Sequence, residues 1–284
     1  MRYGFVTCVQ LGFSCIEEIY SAGSEIKLAI TLKDNISREK SGRIYLDNFC
    51  KDNCIDLLKC NNVNDHEVIS AINRHNIDWL FIIGWSQIAQ AEILNAPNCG
   101  VLGIHPTLLP IGRGRAPIPW AIIKGYTETG VTLFKLDKGV DTGSILRQVI
   151  VPISSDETAA SLYQRVREAH RDLIRDVWSD LDSYSIELLP QDESKATFWP
   201  KRRPDDGELF STLTCIEADR LVRGVTKPYP GAFIQGPDAT YRIWSATLVS
   251  GVKLNNYIQI VKGSIRFQLA DGCLESDDWD KESL

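Results

Sequence analysis

The chain has 284 residues, 44% apolar and 24% charged, proportions of a globular protein that exclude a disordered or fibrous one. Its 31 Lys and Arg against 37 Asp and Glu leave a net charge of −6, the opposite balance to a protein built to hold nucleic-acid phosphates. No apolar run approaches the roughly 18 residues that span a bilayer, and the N-terminal MRYGFVTCVQLGF lacks the long apolar stretch of a secretory leader.

Residues 3–8, 26–32, 55–59, 79–83 and 100–104 read as strands, rich in Val, Ile, Leu and aromatics and bounded by polar or turn residues. Between them, residues 13–22, 46–51 and 66–73 carry helical spacing, the last with Asn64-Asp65 as an N-cap signal. Such β-α-β alternation predicts a Rossmann-like, doubly wound, mainly parallel α/β sheet. Sheets of this kind bind ligands beyond the C-terminal ends of their strands, where the strand order reverses. A Pro, Gly and Arg-rich stretch follows over 105–119, then a helix over 118–124, a hairpin-like pair over 130–136 and 144–152, and a long helix over about 157–178. Residues 190–206 read as a polar connector, leading to a helix over 216–225 and β segments over 232–235, 241–249, 257–261 and 264–269. The acidic tail, 275–284, reads as frayed. We therefore expect a catalytic α/β domain over 1–190 and a connector with a small, mainly β domain over 191–284.

Eight Cys are scattered through the chain, several inside apolar runs where thiols pack as small hydrophobes, which points to a reducing cytosol. Cys50, Cys54, Cys60 and His66 lack the paired C-x2-C spacing of a zinc site, so no metal is expected there.

Gly12 follows the first strand, but G-x-G-x-x-G, G-x-S-x-G and the P-loop are all absent. The informative run is Gly103-Ile-His105-Pro-Thr107-Leu-Leu-Pro110, then Gly112-Arg113-Gly114-Arg115-Ala-Pro117, with Asp141 further on in Gly139-Val-Asp141-Thr-Gly143. His105 directly follows a predicted buried strand, at the site-forming end of the sheet. Asp141 lies between the strands of the hairpin. A carboxylate beside an imidazole fixes its orientation, which suits a group that takes and returns protons near neutral pH. On spacing alone, the two residues serve equally well as a loop histidine and a turn carboxylate bonded to its own backbone.

The run 103–119, the segment 129–132 and Asp141-Thr-Gly143 resemble the core of the folate-dependent formyltransferases. The resemblance extends upstream to Trp85-Ser-Gln87-Ile88 and downstream to residues 198–207 and Pro230-Gly-Ala-Phe233, covering roughly residues 80 to 235. It implies transfer of a formyl group from N10-formyltetrahydrofolate to an amine, without a metal. Position by position, His105 and Asp141 match the catalytic histidine and aspartate. The family's asparagine two residues before the histidine is replaced by Gly103, and that amide is a hydrogen-bond donor to the oxyanion of the tetrahedral intermediate. A backbone N–H near Gly103, the His105 imidazolium and the Gln87 side chain are candidate substitutes. By the same analogy the pterin lies against Trp85, Gln87 and the backbone at Ile88, and in the turn holding Asp137 and Val140.

The stretch 198–207 together with Lys227-Pro-Tyr229-Pro-Gly-Ala-Phe233 most resembles the sugar-nucleotide N-formyltransferases, which act in surface polysaccharide or glycan biosynthesis. In that reading Arg202, Arg203 and Lys227 pair with phosphates, Tyr229 or Trp199 stacks on a base or sugar, and Thr107 faces the substrate. Arg113 and Arg115 either join the phosphate contacts or brace the loop. A cytoplasmic enzyme results, its partner a nucleotide-linked amino sugar rather than nucleic acid or membrane, with homodimerisation permitted by exposed strand edges of the second domain. The alternatives are a methionyl-tRNA formyltransferase-like enzyme, a formyltetrahydrofolate hydrolase, and a folate or sugar-nucleotide binding protein impaired by the loss of the asparagine.

Overall fold

A computed structural model describes residues 1–37 and 42–283, which fall into two compact units. The first comprises Met1–Gly114, Gly130–Val151 and Arg165–Phe198; the second comprises Arg115–Thr129, Pro152–Gln164 and Trp199–Leu284.

In chain order the first unit opens with β1 (Tyr3–Val6), α1 (Gln10–Ser21), β2 (Ile26–Leu32), α2 (Asp34–Ser37), α3 (Asp47–Asp52), β3 (Asp56–Cys60), α4 (His66–Arg74), β4 (Trp79–Ile83), α5 (Ala91–Asn95) and β5 (Gly100–His105). Along the chain there follow β6 (Arg113–Gly114), α6 (Pro117–Ile123), which belongs to the second unit, β7 (Glu128–Lys135), β8 (Ile145–Pro152), α7 (Ala159–Asp182) and β9 (Phe198–Trp199). Seven strands form one sheet in the order β3-β2-β1-β4-β5-β7-β8, parallel from β3 to β5, with β7 antiparallel to β5. The chain starts at β1, runs outward to β3, then returns past β1 to β4. The doubly wound expectation holds, and the strand order reverses between β1 and β4.

Alternation along the central strands covers both sheet faces. Val6, Leu28, Ile30, Leu80, Ile82 and Val101 pack with Val68, Ala71 and Ile72 of α4 and Ile93 of α5. On the opposite parity, Phe5 stacks on Phe81 with ring centroids 5.4 Å apart, and Trp178 of α7 lies 4.5 Å from Tyr3. Each such ring, removed from water, contributes about 1.5–3 kcal/mol.

The second unit continues with α8 (Cys215–Val225), β10 (Ala232–Gln235), β11 (Ala239–Ile243), β12 (Thr247–Ser250), β13 (Ile258–Val261), β14 (Ser264–Gln268), β15 (Gly272–Ser276) and β16 (Trp279–Ser283). Its sheets run β10-β11-β16 and β12-β15-β14-β13, all antiparallel, over a core of Leu221, Val222, Ile234, Ile243, Ile265, Phe267 and Leu274. Thr214 caps α8 through a reciprocal pair with Glu217. Gly224 lets α8 approach α6, since a Cβ there would lie 2.8 Å from Ile123 Cγ1.

Two sequence expectations are corrected. The β segment over 241–249 is two strands in different sheets, broken where Trp244 N–H turns to Asp278 O. The acidic tail is not frayed: β15 and β16 occupy it, and its charges find partners, with Arg242 Nε 2.6 Å from Glu282 Oε1 and Trp244 Nε1 2.7 Å from Asp280 Oδ2. Trp279 packs on the core and donates to Gly263 O; Leu284 lies outside the described residues. No helix among the described residues is long and apolar enough to cross a membrane.

Candidate active site

β5 is a wholly buried strand, G-V-L-G-I-H, that brings His105 to the C-terminal edge of the sheet. Pro106 has no N–H to continue the ladder, and the chain turns back so that Thr107 N–H donates to His105 O at 2.9 Å. The imidazole is only 7% exposed. Its Nε2 lies 2.8 Å from Gly112 O, and since a carbonyl only accepts, that nitrogen carries the hydrogen. Nδ1 faces Asp141 Oδ2 at 3.6 Å, within ion-pair range but beyond a direct hydrogen bond. Asp141 sits in the turn between β7 and β8 with φ +56, and its Oδ2 accepts the Gly114 N–H at 2.8 Å. The sequence-separated His and Asp therefore meet at one edge of the sheet.

Gly103 is buried two residues before His105 and so faces the same side of β5. A Cβ at this position would lie 2.7 Å from Leu136 Cδ2 and 3.5 Å from Phe134 Cε1. The space beside His105 that an asparagine would need is thus apolar, and the half-buried Leu136 side chain stands in it. Gly103 is paired with Ile82 on one side and Phe134 on the other, which commits its backbone polar groups to the sheet. The Gln87 amide is also committed: Oε1 accepts from Val63 N and Trp85 Nε1, and Nε2 donates to Asn61 O at 2.9 Å. Of the three candidate substitutes for the asparagine, only His105 keeps an open position: its Nε2–H is held by Gly112 O, while Nδ1, 3.6 Å from Asp141, can donate when the ring carries its second proton.

The remaining first-unit candidates surround this edge. Ile88 and Val140 are 66% and 45% exposed, apolar surface turned to solvent rather than core. The Ile88 carbonyl accepts from Asn64 Nδ2. Asp137 Oδ1 accepts from Gly139 N and Thr142 Oγ1, knitting the turn that carries Asp141. Thr107 is buried, and its hydroxyl finds no hydrogen-bond partner among the described residues. Of the two roles open to Arg113, phosphate contact and loop brace, its surroundings favour the brace: its side chain is 1% exposed and bound bidentately by Glu193 at 2.6 and 2.8 Å. The hydrogen bonds from Arg113, aided by its charge, hold the Glu193 carboxyl below its usual range.

Residues 21–177 match the formyl transferase family, and residues 202–282 match the formyl transferase C-terminal domain. The chain belongs to the formyl transferase family. It is 28% identical to the methionyl-tRNA formyltransferase of Agathobacter rectalis over 279 residues, 93% of this chain and 90% of that one. Among solved structures it resembles WlaRD, a sugar 3N-formyl transferase determined in the presence of dTDP and 5-N-formyl-THF, with TM-score 0.73, 18% identity and coverage of 100% and 98%. It also resembles the N-formyltransferase of Helicobacter canadensis in complex with folinic acid and dTDP-3-aminofucose, with TM-score 0.72, 18% identity and coverage of 98% and 99%.

Within this formyl transferase, the second-unit candidates use separate aromatic platforms. The Arg202 guanidinium lies 4.8 Å from the Trp120 ring centroid, and Lys227 Nζ lies 4.9 Å from that of Trp244. Arg203 and Arg115 are exposed, while Tyr229 is half-buried and Trp199 buried. Two features escaped sequence reasoning. His170 on α7 is 1% exposed and donates from Nδ1 to Val166 O at 2.7 Å. Burial pushes its pKa down to about 4, the charge of His105 acting in the same direction against the Val166 bond. Gln191 and Glu193 lie in the segment expected to be a mere connector, and only the need of a buried arginine for partners could have pointed to them.

Proposed function

We propose that the chain transfers the formyl group of N10-formyltetrahydrofolate to the amine of a nucleotide-linked amino-dideoxy sugar. Charge carries the choice of acceptor. Beyond the net −6 of the whole chain, residues 202–282 hold ten Lys and Arg against twelve Asp and Glu, a poor surface for the phosphates of a tRNA. Likeness in fold, over nearly the whole of each chain, to a sugar 3N-formyl transferase and to an N-formyltransferase in complex with dTDP-3-aminofucose supports the same reading. A cytosolic setting agrees with the cysteines, none of which forms a disulfide among the described residues.

The exposed side chains of Ile88 and Val140 offer apolar cover to the flat pterin. Attack by a neutral amine on the formyl carbon builds negative charge on oxygen and leaves the new C–N bond with a proton to lose. The Nδ1–H of a protonated His105 supplies the side-chain hydrogen-bond donor to that oxygen, its Nε2–H being held by Gly112 O. Asp141, 3.6 Å from His105, accepts the amine proton directly or through a bridging water and returns it to the departing folate nitrogen.

The 28% identity to a methionyl-tRNA formyltransferase keeps initiator tRNA as the second reading. Side-by-side assays with dTDP-, UDP- and GDP-amino sugars and with methionyl-tRNA separate the two. A sugar nucleotide heavier by one formyl group supports the proposal; formylated methionyl-tRNA alone overturns it. Formate released without an acceptor identifies a hydrolase.

A further inference from the structure

We propose that Arg113 and Gln191 form a positioning relay that holds the Asp141 carboxylate opposite His105 without touching the reacting atoms. The inference rests on the reading that His105 and Asp141 do the chemistry. Its starting point is the three-residue segment 112–114, which contacts both side chains. Gly112 O holds His105 Nε2 at 2.8 Å, and Gly114 N–H holds Asp141 Oδ2 at 2.8 Å. Arg113 lies between them, its permanent charge buried.

The guanidinium does more than neutralise itself on Glu193. Nε and Nη2 also donate to Gln191 Oε1 at 3.1 and 2.7 Å. An amide oxygen held by a cation fixes which end of the side chain faces the other way. The Gln191 NH2 therefore points at the Asp141 turn, where it donates to Asp141 O at 2.8 Å and Gly143 O at 2.7 Å. These two carbonyls bracket Thr142, and Asp141 itself sits in the left-handed region at φ +56, a conformation a non-glycine residue keeps only when its surroundings over-determine it. From the other side the turn is packed against the sheet so closely that a Cβ on Gly143 would lie 1.7 Å from Lys135 O. Gln191 is thus the clamp that closes the turn, and Arg113 orients the clamp while its own backbone neighbours hold the catalytic pair.

Gln191→Glu separates positioning from mere packing. It retains an oxygen for Arg113, adding a second ion pair, but sets a carboxylate oxygen against two carbonyl oxygens. If the relay acts on geometry, Gln191→Glu and Gln191→Ala both keep a thermal midpoint near that of the parent while deuterium exchange over residues 137–145 speeds up about tenfold. The rate constant kcat falls about 10²-fold, the effect of a misplacement near 1 Å, with the KM for the formyl donor changed less than about threefold. Arg113→Lys, which keeps the charge but loses the fork, gives the same pattern. Unchanged loop exchange in both Gln191 variants overturns the relay, as does parental kcat in Gln191→Glu. The exchange readout needs no substrate: faster exchange in a protein that formylates no amine sustains the relay and counts against the proposed function instead.

Discussion

Replacing Gly103 by Asn tests what the site uses in place of a side-chain amide. An ideal Cβ at 103 lies 2.7 Å from Leu136 Cδ2 and 3.3 Å from its Cγ, against an ordinary carbon contact of about 3.5–4.0 Å. The overlap approaches 1 Å before the rest of the amide is placed. Leu136 is half-buried and packs against the cluster formed with Leu80, Val101 and Val68, so moving its terminal methyl aside gives up part of that packing. Gly103→Asn alone should cost about 1–3 kcal/mol by overpacking, lowering the thermal midpoint by about 2–10 °C. Leu136→Ala alone should cost about 1–3 kcal/mol through the void it leaves. In the double variant the amide enters the vacated space, so the combined cost falls short of the sum by about 1–2 kcal/mol. The double variant should also turn over at least about tenfold faster than Leu136→Ala, because it gains an oxyanion donor. Scanning calorimetry on the four proteins, with steady-state formyl transfer, reads both effects. A Gly103→Asn protein as stable as its parent, or strictly additive costs, would refute the idea that Leu136 occupies the place of an amide.

Three further outcomes follow from the packing. His170 has a native pKa of about 4 against about 6.5 in an unfolded chain, so the unfolded state protonates first and stability falls as pH drops through that window. His170→Phe should remove about 2 kcal/mol of the loss between pH 7 and 5, measured by denaturant unfolding; identical acid slopes would count against it. Glu18 is buried, which raises its pKa, but its bonds to Arg175 at 2.7 Å and Arg171 at 3.3 Å outweigh burial and hold it below the carboxylate range. Its contribution is therefore present at neutral pH and lost as pH falls through that depressed value, so Glu18→Gln should cost about 1–3 kcal/mol at pH 7 and progressively less in acid. Thr214→Ala removes the cap of α8 and should lower stability by about 1 kcal/mol, with kcat unchanged.

Much of this architecture is legible in local pattern. The buried strands of the parallel sheet are continuous apolar runs: 26–32 and 79–83 match β2 and β4 residue for residue, and β5 differs only by taking in His105. α1 begins at Gln10, earlier than its apolar spacing suggested, because its first N–H donates to Gly42 O, a tertiary contact that spacing does not encode. The acidic tail misled for the same reason, since Arg242 and Lys281, the latter 2.7 Å from Asp238, convert like charge into cross-strand pairing. His105 and Asp141 were recoverable as residue types at the mouth of a sheet. For Arg113 phosphate contact and loop brace stayed equally open in the sequence, because its partner Gln191 lies 78 positions away.

Whether His105 and Asp141 carry out formyl transfer is decided by product formation in His105→Asn and Asp141→Asn beside the parent protein, at saturating N10-formyltetrahydrofolate and acceptor. Each variant should lose about 10²–10⁴-fold in kcat, with near-ultraviolet circular dichroism and thermal midpoint preserved. Turnover close to the parent rate in either folded variant would contradict that role.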